Sequence, residues 1–226
     1  MTAPISSIAD QNRETKVKSE LRLLPRPFWA VALKRIFDLV GAAFGLILLS
    51  PLLLIIAALI KAQDRGPVFH RRKVLGPNGP FEALKFRSMH PAADAILQAD
   101  ASLRESFSQN FKLRNDPRIT EIGSFLRKHS LDELPQLVNV LRGQMSLVGP
   151  RMITADELSK YGEYQRLLLS IKPGLTGYWQ VNGRQNVAYA HRVEMDMYYI
   201  QHWSLRLDFR ILFQTPWVVL KGEGAV

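Results

Sequence analysis

The sequence contains no cysteine. That excludes a disulfide framework and a thiolate-bound metal, and it suits a reducing compartment. The five histidines show no H-x-x-x-H or other ligand spacing, so they read as structural or surface residues. No Asp-x-Asp pair and no G-x-G-x-x-G after a strand pattern is present, which weighs against a conventional nucleotide-sugar glycosyltransferase. Internal repeats and low-complexity tracts are absent. The pI is near 10.0, yet there is no nucleic-acid motif and no basic stripe with interleaved aromatics, so no nucleic-acid partner is expected.

Charge is missing altogether from Leu39 to Ile60, a run of 22 residues interrupted at its middle by Ser50-Pro51. An unbroken helix of that length would just cross a hydrocarbon core of roughly 30 Å. The proline removes a backbone donor and clashes with the carbonyl four residues earlier, so the segment is expected to bend or break there, with Ser50 satisfying the freed carbonyl. Lys34 and Arg35 precede the run, and Lys61, Arg65, Arg71, Arg72 and Lys73 follow it. Basic flanks favour the cytoplasmic side. With both ends basic, a wedge that enters one leaflet and returns is preferred over a kinked spanning helix packed through Gly41 and Gly45. A signal peptide is disfavoured, because charge rather than a small-residue cleavage site follows.

The formal charge of +10 is concentrated around this run: up to His90 there are 14 Lys/Arg against 6 Asp/Glu, leaving only +2 for the remainder. Each cation held at an anionic leaflet contributes on the order of 1 kcal/mol, so the cluster reads as docking to membrane lipid. Four segments follow: a mobile polar leader (1–33), the anchor (34–62), one domain of ordinary size (63–220) and a short tail (221–226).

After the anchor, turn signals at Pro77 to Gly79 predict a β-hairpin. A helix is expected over about 92–110, and a second, capped by Thr120, to about Lys128. Thr154 to Glu157 is a capping box opening a helix that ends before Pro173-Gly174. PGLTGYWQVNGR reads as a loop with a short extended piece, followed by a helix over about 188–201. The apolar tail with Trp217 fits either an interfacial helix or one packed on the core.

Asp132-Glu133 is an acidic pair among cations: Arg127, Lys128, Arg142 and Arg151. The ordinary reading is a helix start, since Ser130 to Glu133 has capping-box spacing. Against it, Pro135 places both carboxylates at a helix N-terminus, where ionised forms are favoured and a carboxylate can be a nucleophile. Their mutual repulsion requires a cation, and hard-oxygen surroundings point to magnesium. Gly149-Pro150-Arg151 offers a guanidinium fork to a phosphate. Nucleophile, metal ligand and phosphate clamp together describe phosphoryl transfer.

SLDELPQLVNVLRGQMSLVGPR, with KRIFD, GPVF, KFRSM, PGLTGYWQVNGR and WSLRLDFRIL, resembles the bacterial monotopic phosphoglycosyl transferases over about 34–220. The resemblance implies an α+β, predominantly helical fold. A re-entrant membrane helix broken at Ser50-Pro51 would join a small cytoplasmic catalytic domain carrying a β-hairpin and interfacial amphipathic helices. It further implies transfer of a sugar 1-phosphate, galactose or glucose 1-phosphate, from a UDP-sugar to undecaprenyl phosphate at the cytoplasmic face of the bacterial inner membrane. UMP leaves, and the product enters exopolysaccharide or O-antigen synthesis.

Position by position, Asp132 matches the nucleophile that forms a phosphosugar-aspartyl intermediate, and Glu133 the Mg2+ ligand. Arg127 and Arg151 match phosphate-binding arginines; Lys85, with Arg87 beside it, and Asp208 match polar site residues; Arg184 matches a nucleotide-sugar contact. On pattern alone, Lys85 and Arg87 would be the solvated face of a strand. The sequence departs from the family pattern at Met152, His129, Val74 and Lys172, none of them in the acidic pair. A homodimer is compatible with the sequence. The other alternative is a non-catalytic membrane scaffold, against which the intact acidic pair argues.

Overall fold

The structure is a computed structural model that describes residues 26–110, 113, 116–183 and 187–221. Most of the leader (1–25), Arg184 and the end of the tail (222–226) lie outside the described residues. Helix α1 (Phe28–Asp64) begins inside the segment assigned to the leader and takes in the whole apolar run. Among the described residues it is the one helix long and apolar enough to cross a membrane.

Of the bend or break expected at Ser50-Pro51, the break does not occur: the chain stays helical through it. The carbonyl that Pro51 deprives of its donor is that of Ile47, and Ser50 Oγ donates to it at 2.8 Å. That side-chain bond lets the helix continue where a proline would otherwise cost about 3 kcal/mol. Arg65, in the left-handed conformation at φ 57°, ends the helix by donating its N–H to the Lys61 carbonyl.

Both halves of α1 bear on the same domain. In the first half, Lys34 Nζ donates to Val148 O at 2.9 Å, and Arg35 donates to Val140 O at 2.7 Å and Leu141 O at 3.0 Å. The Asp38 carboxylate accepts from Ser146 Oγ and Leu147 N–H at 3.0 and 2.9 Å. In the second half, Ile56 and Ile60 pack in a core with Phe86 and Leu126, and Asp64 pairs with Arg87. Between Leu46 and Leu53 the helix is bare, with Ile47 75% and Leu48 62% exposed.

One expectation changes here: Lys34 and Arg35 do not reach for lipid, because domain carbonyls hold them. Gly41 and Gly45, the packing face of the alternative spanning helix, lie against the domain, under Leu147 and under Leu137 of a short helix (Leu137–Leu141), where a Cβ would come within 2.7 and 3.3 Å of the leucine methyls.

Strands β1 (Phe69–Gly76) and β2 (Gly79–Phe86) form the expected antiparallel hairpin, with His70 opposite Lys85. The helix expected over 92–110 is two, α2 (Ala93–Ala99) and α3 (Ala101–Asn110). Asp100 divides them: its carboxylate accepts from the N–H groups of Ser102 and Leu103, capping the second. Thr120 caps α4 (Glu121–Lys128) by accepting from Gly123 N–H at 2.9 Å.

A 3₁₀ helix (Leu131–Gln136) runs directly into α5 (Leu137–Leu141), and the chain turns into β3 (Ser146–Val148). The Thr154–Glu157 capping box opens α6 (Ala155–Leu158) as expected, but the helix is interrupted. A 3₁₀ segment with Gly162 at φ 49° separates it from α7 (Gln165–Leu169). β4 (Gly174–Thr176) pairs parallel with β3. The stretch read as a loop contains α8 (Tyr178–Asn182). The last helices are α9 (Tyr189–Gln201) and α10 (Leu205–Lys221).

The main core joins Val148, Ile153, Tyr161, Leu167, Val193, Met197 and Ile211. The tail packs on the core through Ile211 in the first half of α10, which is buried, while Phe213, Trp217 and Leu220 further along are 81%, 66% and 75% exposed.

Candidate active site

Asp132 and Glu133 sit in the 3₁₀ helix that packs against β2. The predicted Ser130–Glu133 capping box does not form. Ser130 adopts a left-handed conformation at φ 53° with no side-chain cap, which leaves Glu133 for other partners. Lys85 Nζ donates to Glu133 Oε1 at 2.6 Å. Arg151 grips the same carboxylate with both terminal nitrogens, Nη2 to Oε1 at 2.8 Å and Nη1 to Oε2 at 3.4 Å. Lys85 therefore faces the acidic pair rather than solvent.

Asp132 is held differently. It is buried, its Oδ2 lies 3.9 Å from Lys85 Nζ, and among the described residues its carboxylate accepts no hydrogen bond. Arg127 adds positive charge nearby while its Nε donates to Ser88 Oγ at 2.8 Å. Two adjacent carboxylates thus have opposite surroundings.

Burial disfavours the Glu133 anion, but Arg151 and Lys85 outweigh it and hold this carboxyl well below the usual range. For Asp132 burial dominates: Lys85 lowers its pKa, the Glu133 charge raises it, and the net direction is up. The ionised form is therefore favoured at Glu133 alone, and there by Arg151 and Lys85 rather than by the expected helix N-terminus. Arg151 is also buried, and its ion pair with Glu133 more than compensates, pushing its pKa up.

Arg151 owes its position to backbone crowding. It follows the Gly149-Pro150 turn and bridges in parallel to Gly174. A Cβ at Gly174 would collide with the Gly149 nitrogen, and one at Gly149 would lie 2.6 Å from the Lys172 carbonyl. Only glycines permit this approach of two strands. From below, Asp196 accepts from Arg151 N–H at 3.4 Å and from Tyr161 OH at 2.8 Å. Burial pushes the Asp196 carboxyl up to about 7.

Other predicted residues lie elsewhere. The Asp208 carboxylate accepts from Lys34 at 2.6 Å, Tyr199 OH at 2.7 Å and Trp203 Nε1 at 3.0 Å, tying α10 and α9 to α1. Arg87 pairs with Asp64 at the far end of α1. Asp196 and Arg192 were missed by sequence reasoning. Their signal is charge on an apolar helical face: Arg192 and Asp196 recur four residues apart beside the core residues Val193 and Met197.

Among the described residues no group of three metal-ligating side chains occurs. Magnesium usually takes only one or two carboxylates and completes its shell with water and substrate phosphates. The hard, acidic Asp132-Glu133 pair fits that pattern.

The chain matches the family described as bacterial sugar transferase over residues 29–222. It is 45% identical over 205 residues to the exopolysaccharide production protein ExoY of Rhizobium meliloti, covering 88% of this chain and 90% of that one. It is 46% identical over 198 residues to an undecaprenyl-phosphate galactose phosphotransferase of Salmonella typhimurium, covering 85% and 41% respectively. A UDP-glucose:undecaprenyl-phosphate glucose-1-phosphate transferase of Klebsiella pneumoniae is 39% identical over 198 residues, covering 84% and 40%.

Proposed function

The chain belongs to the bacterial sugar transferase family, and from that premise we propose that it transfers a sugar 1-phosphate from a UDP-sugar to undecaprenyl phosphate, releasing UMP. The transferred sugar is galactose or glucose, the two named among its relatives. One observation carries the assignment of roles: of two adjacent buried carboxylates, Glu133 is pinned by Lys85 and Arg151, while Asp132 is left without a hydrogen bond.

Asp132 is accordingly the nucleophile. One of its oxygens attacks the sugar-bearing phosphorus of the donor, and the bond from that phosphorus to the bridging oxygen breaks. The bridging oxygen keeps the electron pair and leaves on UMP, so no proton need be supplied. An oxygen of the lipid phosphate then attacks the same phosphorus, and Asp132 departs as the free carboxylate. Because the intermediate is covalent, a soluble donor and a lipid acceptor need not be bound together.

Lys85, Arg127 and Arg151 keep enough of Asp132 ionised to attack, and they offset charge on the transferring phosphoryl group. Magnesium would be held by Glu133 with phosphate oxygens of the donor, and when bound it would supply further charge neutralisation.

The anchor is a wedge in the inner leaflet of the inner membrane, with the domain on the cytoplasmic face. Support comes from α1 itself: residues 34–46 and 53–64 both pack on one domain, and the exposed apolar stretch lies between them. A spanning helix would leave one end without that contact. The exposed end of α10 lies in the headgroup region as a second contact.

The test is UMP release by membranes containing the protein, across a panel of UDP-sugars with and without magnesium. UMP dependent on one UDP-hexose and on lipid acceptor supports the assignment. Release of UDP in its place would mean ordinary glycosyl transfer.

A further inference from the structure

Around Trp179, which Arg151 also approaches, lies a group of polar atoms that the proposed chemistry has not used. The Arg192 guanidinium is sandwiched between two rings, 4.4 Å from the Trp179 centroid and 4.6 Å from that of Tyr189. Its charge has no carboxylate partner among the described residues, and its Nε is buried with no hydrogen bond. Asp196, one turn along the same helix, is committed to Tyr161 and to the Arg151 backbone. Trp179 Nε1 and Tyr189 OH are likewise buried and unpartnered.

A buried donor without an acceptor costs about 1–3 kcal/mol, and three in one place call for a ligand that satisfies them. All three can donate, so the missing ligand is rich in acceptors, and the unpaired guanidinium makes it an anion. The position identifies which anion. Trp179 is shared by two guanidinium groups, with Arg151 5.7 Å from the ring centroid on its way to the acidic pair. Two cations flanking one indole, only one of them neutralised by a carboxylate, suit two phosphates joined in a diphosphate. The phosphate nearer Asp132 is the one that is transferred.

We propose that Arg192, with Trp179 Nε1 and Tyr189 OH, binds the departing phosphate of the nucleoside diphosphate donor, the phosphate that leaves on UMP. This deepens the reading above and rests on it for the identity of the nucleotide. The two halves of the reaction then use different residues. Arg151 and Lys85 serve the transferred phosphoryl group in both steps, whereas the Arg192 group serves the donor step and is empty when the lipid phosphate attacks.

The experiment uses the full chain in lipid nanodiscs, as wild type, Arg192→Gln, Arg192→Lys, Trp179→Phe and Tyr189→Phe. Three quantities are read: the equilibrium affinity for UMP, the KM for UDP-sugar, and the rate at which preformed, labelled phosphosugar-enzyme passes its label to undecaprenyl phosphate. For Arg192→Gln, loss of a charged hydrogen bond predicts UMP affinity and donor KM about tenfold to a hundredfold weaker, with the discharge rate within about twofold. Arg192→Lys recovers part of the loss. Trp179→Phe, which removes the N–H together with the pyrrole ring, and Tyr189→Phe, which keeps the ring and removes only the hydroxyl, each weaken UMP binding about two- to tenfold, and the second guards against a folding defect at Arg192.

Unchanged UMP affinity in Arg192→Gln and Trp179→Phe would overturn the proposal. So would a parallel fall in donor affinity and discharge rate, since that would place these residues at the shared phosphoryl group. If wild type bound UMP but formed no labelled enzyme and released no UMP from any donor, the transfer reading would fail. The comparison of UMP affinities would still decide this site.

Discussion

Lys85 Nζ stands 2.6 Å from Glu133 Oε1 and 3.9 Å from Asp132 Oδ2, so a single ammonium serves both members of the acidic pair. It is the lowering influence on Asp132 that most directly opposes burial. Lys85→Met should leave Glu133 paired with Arg151 but leave Asp132 protonated for more of the time. Turnover is expected to fall by about a hundredfold or more, on the scale of losing one stabilising donor, with membrane association retained. Steady-state UMP release on membranes with matched protein levels checks this, and activity within a few-fold of wild type would remove Lys85 from the site.

Asp208, in α10, holds three donors drawn from α1, α9 and the turn after α9, and these contacts make it a clasp between the anchor and the domain. Removing one member of a buried ion pair leaves the other charge stranded, at a cost of about 3–5 kcal/mol. Asp208→Ala should therefore melt at markedly lower temperature in detergent. Lys34→Met in the same chain should recover part of the loss, and the folded fraction should keep near-normal kcat. Loss of kcat without loss of stability would return Asp208 to the chemistry, as the family resemblance implies.

Asp196 should make stability depend on pH. Burial pushes its carboxyl up to about 7 in the folded protein, against an ordinary value of 3.8. The folded state therefore holds its proton more tightly than the unfolded chain. The contribution of Asp196 to stability is fullest below about pH 4, declines as pH rises towards 7, and then levels off, a total change on the order of 4 kcal/mol. Asp196→Asn keeps an acceptor for Tyr161 and cannot ionise, so its melting temperature should lose that decline. Thermal melts at pH 5 and pH 7.5 compare the two, and identical slopes would show that Asp196 does not titrate in this range.

The path of α1 is testable without altering the background, because the chain has no cysteine. Single cysteines at Val31 and Arg65 should both resist a membrane-impermeant maleimide in intact cells and react once the inner membrane is opened. Labelling of either one from the periplasm would mean that the helix spans.

Much of this was legible in residue order. The hairpin follows from the Pro77-Asn78-Gly79 turn signal, the Thr120 cap and the Thr154–Glu157 box from local spacing, and Asp132-Glu133 from charge beside charge. Long-range pairing was not legible. Nothing near Lys34 in sequence shows that its ammonium meets Asp208, 174 residues away, rather than a lipid phosphate. Ser130–Glu133 has the letters of a capping box, but Lys85 and Arg151 compete for the same carboxylate and win by charge. That Ser50 would satisfy the carbonyl freed by Pro51 was legible; that this would keep the helix unbroken was not. Arg192 looks like one more solvated cation until the fold encloses it between Trp179 and Tyr189.

The central claim is that Asp132 itself carries the phosphosugar between donor and lipid. The direct measurement is the intact mass of the purified protein after incubation with UDP-sugar and magnesium in the absence of undecaprenyl phosphate. Wild type should gain the mass of one hexose phosphate, mapped to Asp132, and lose it when the lipid is added; Asp132→Asn should gain nothing. Turnover by a wild-type preparation that never acquires that mass, or the same adduct on Asp132→Asn, would contradict the account.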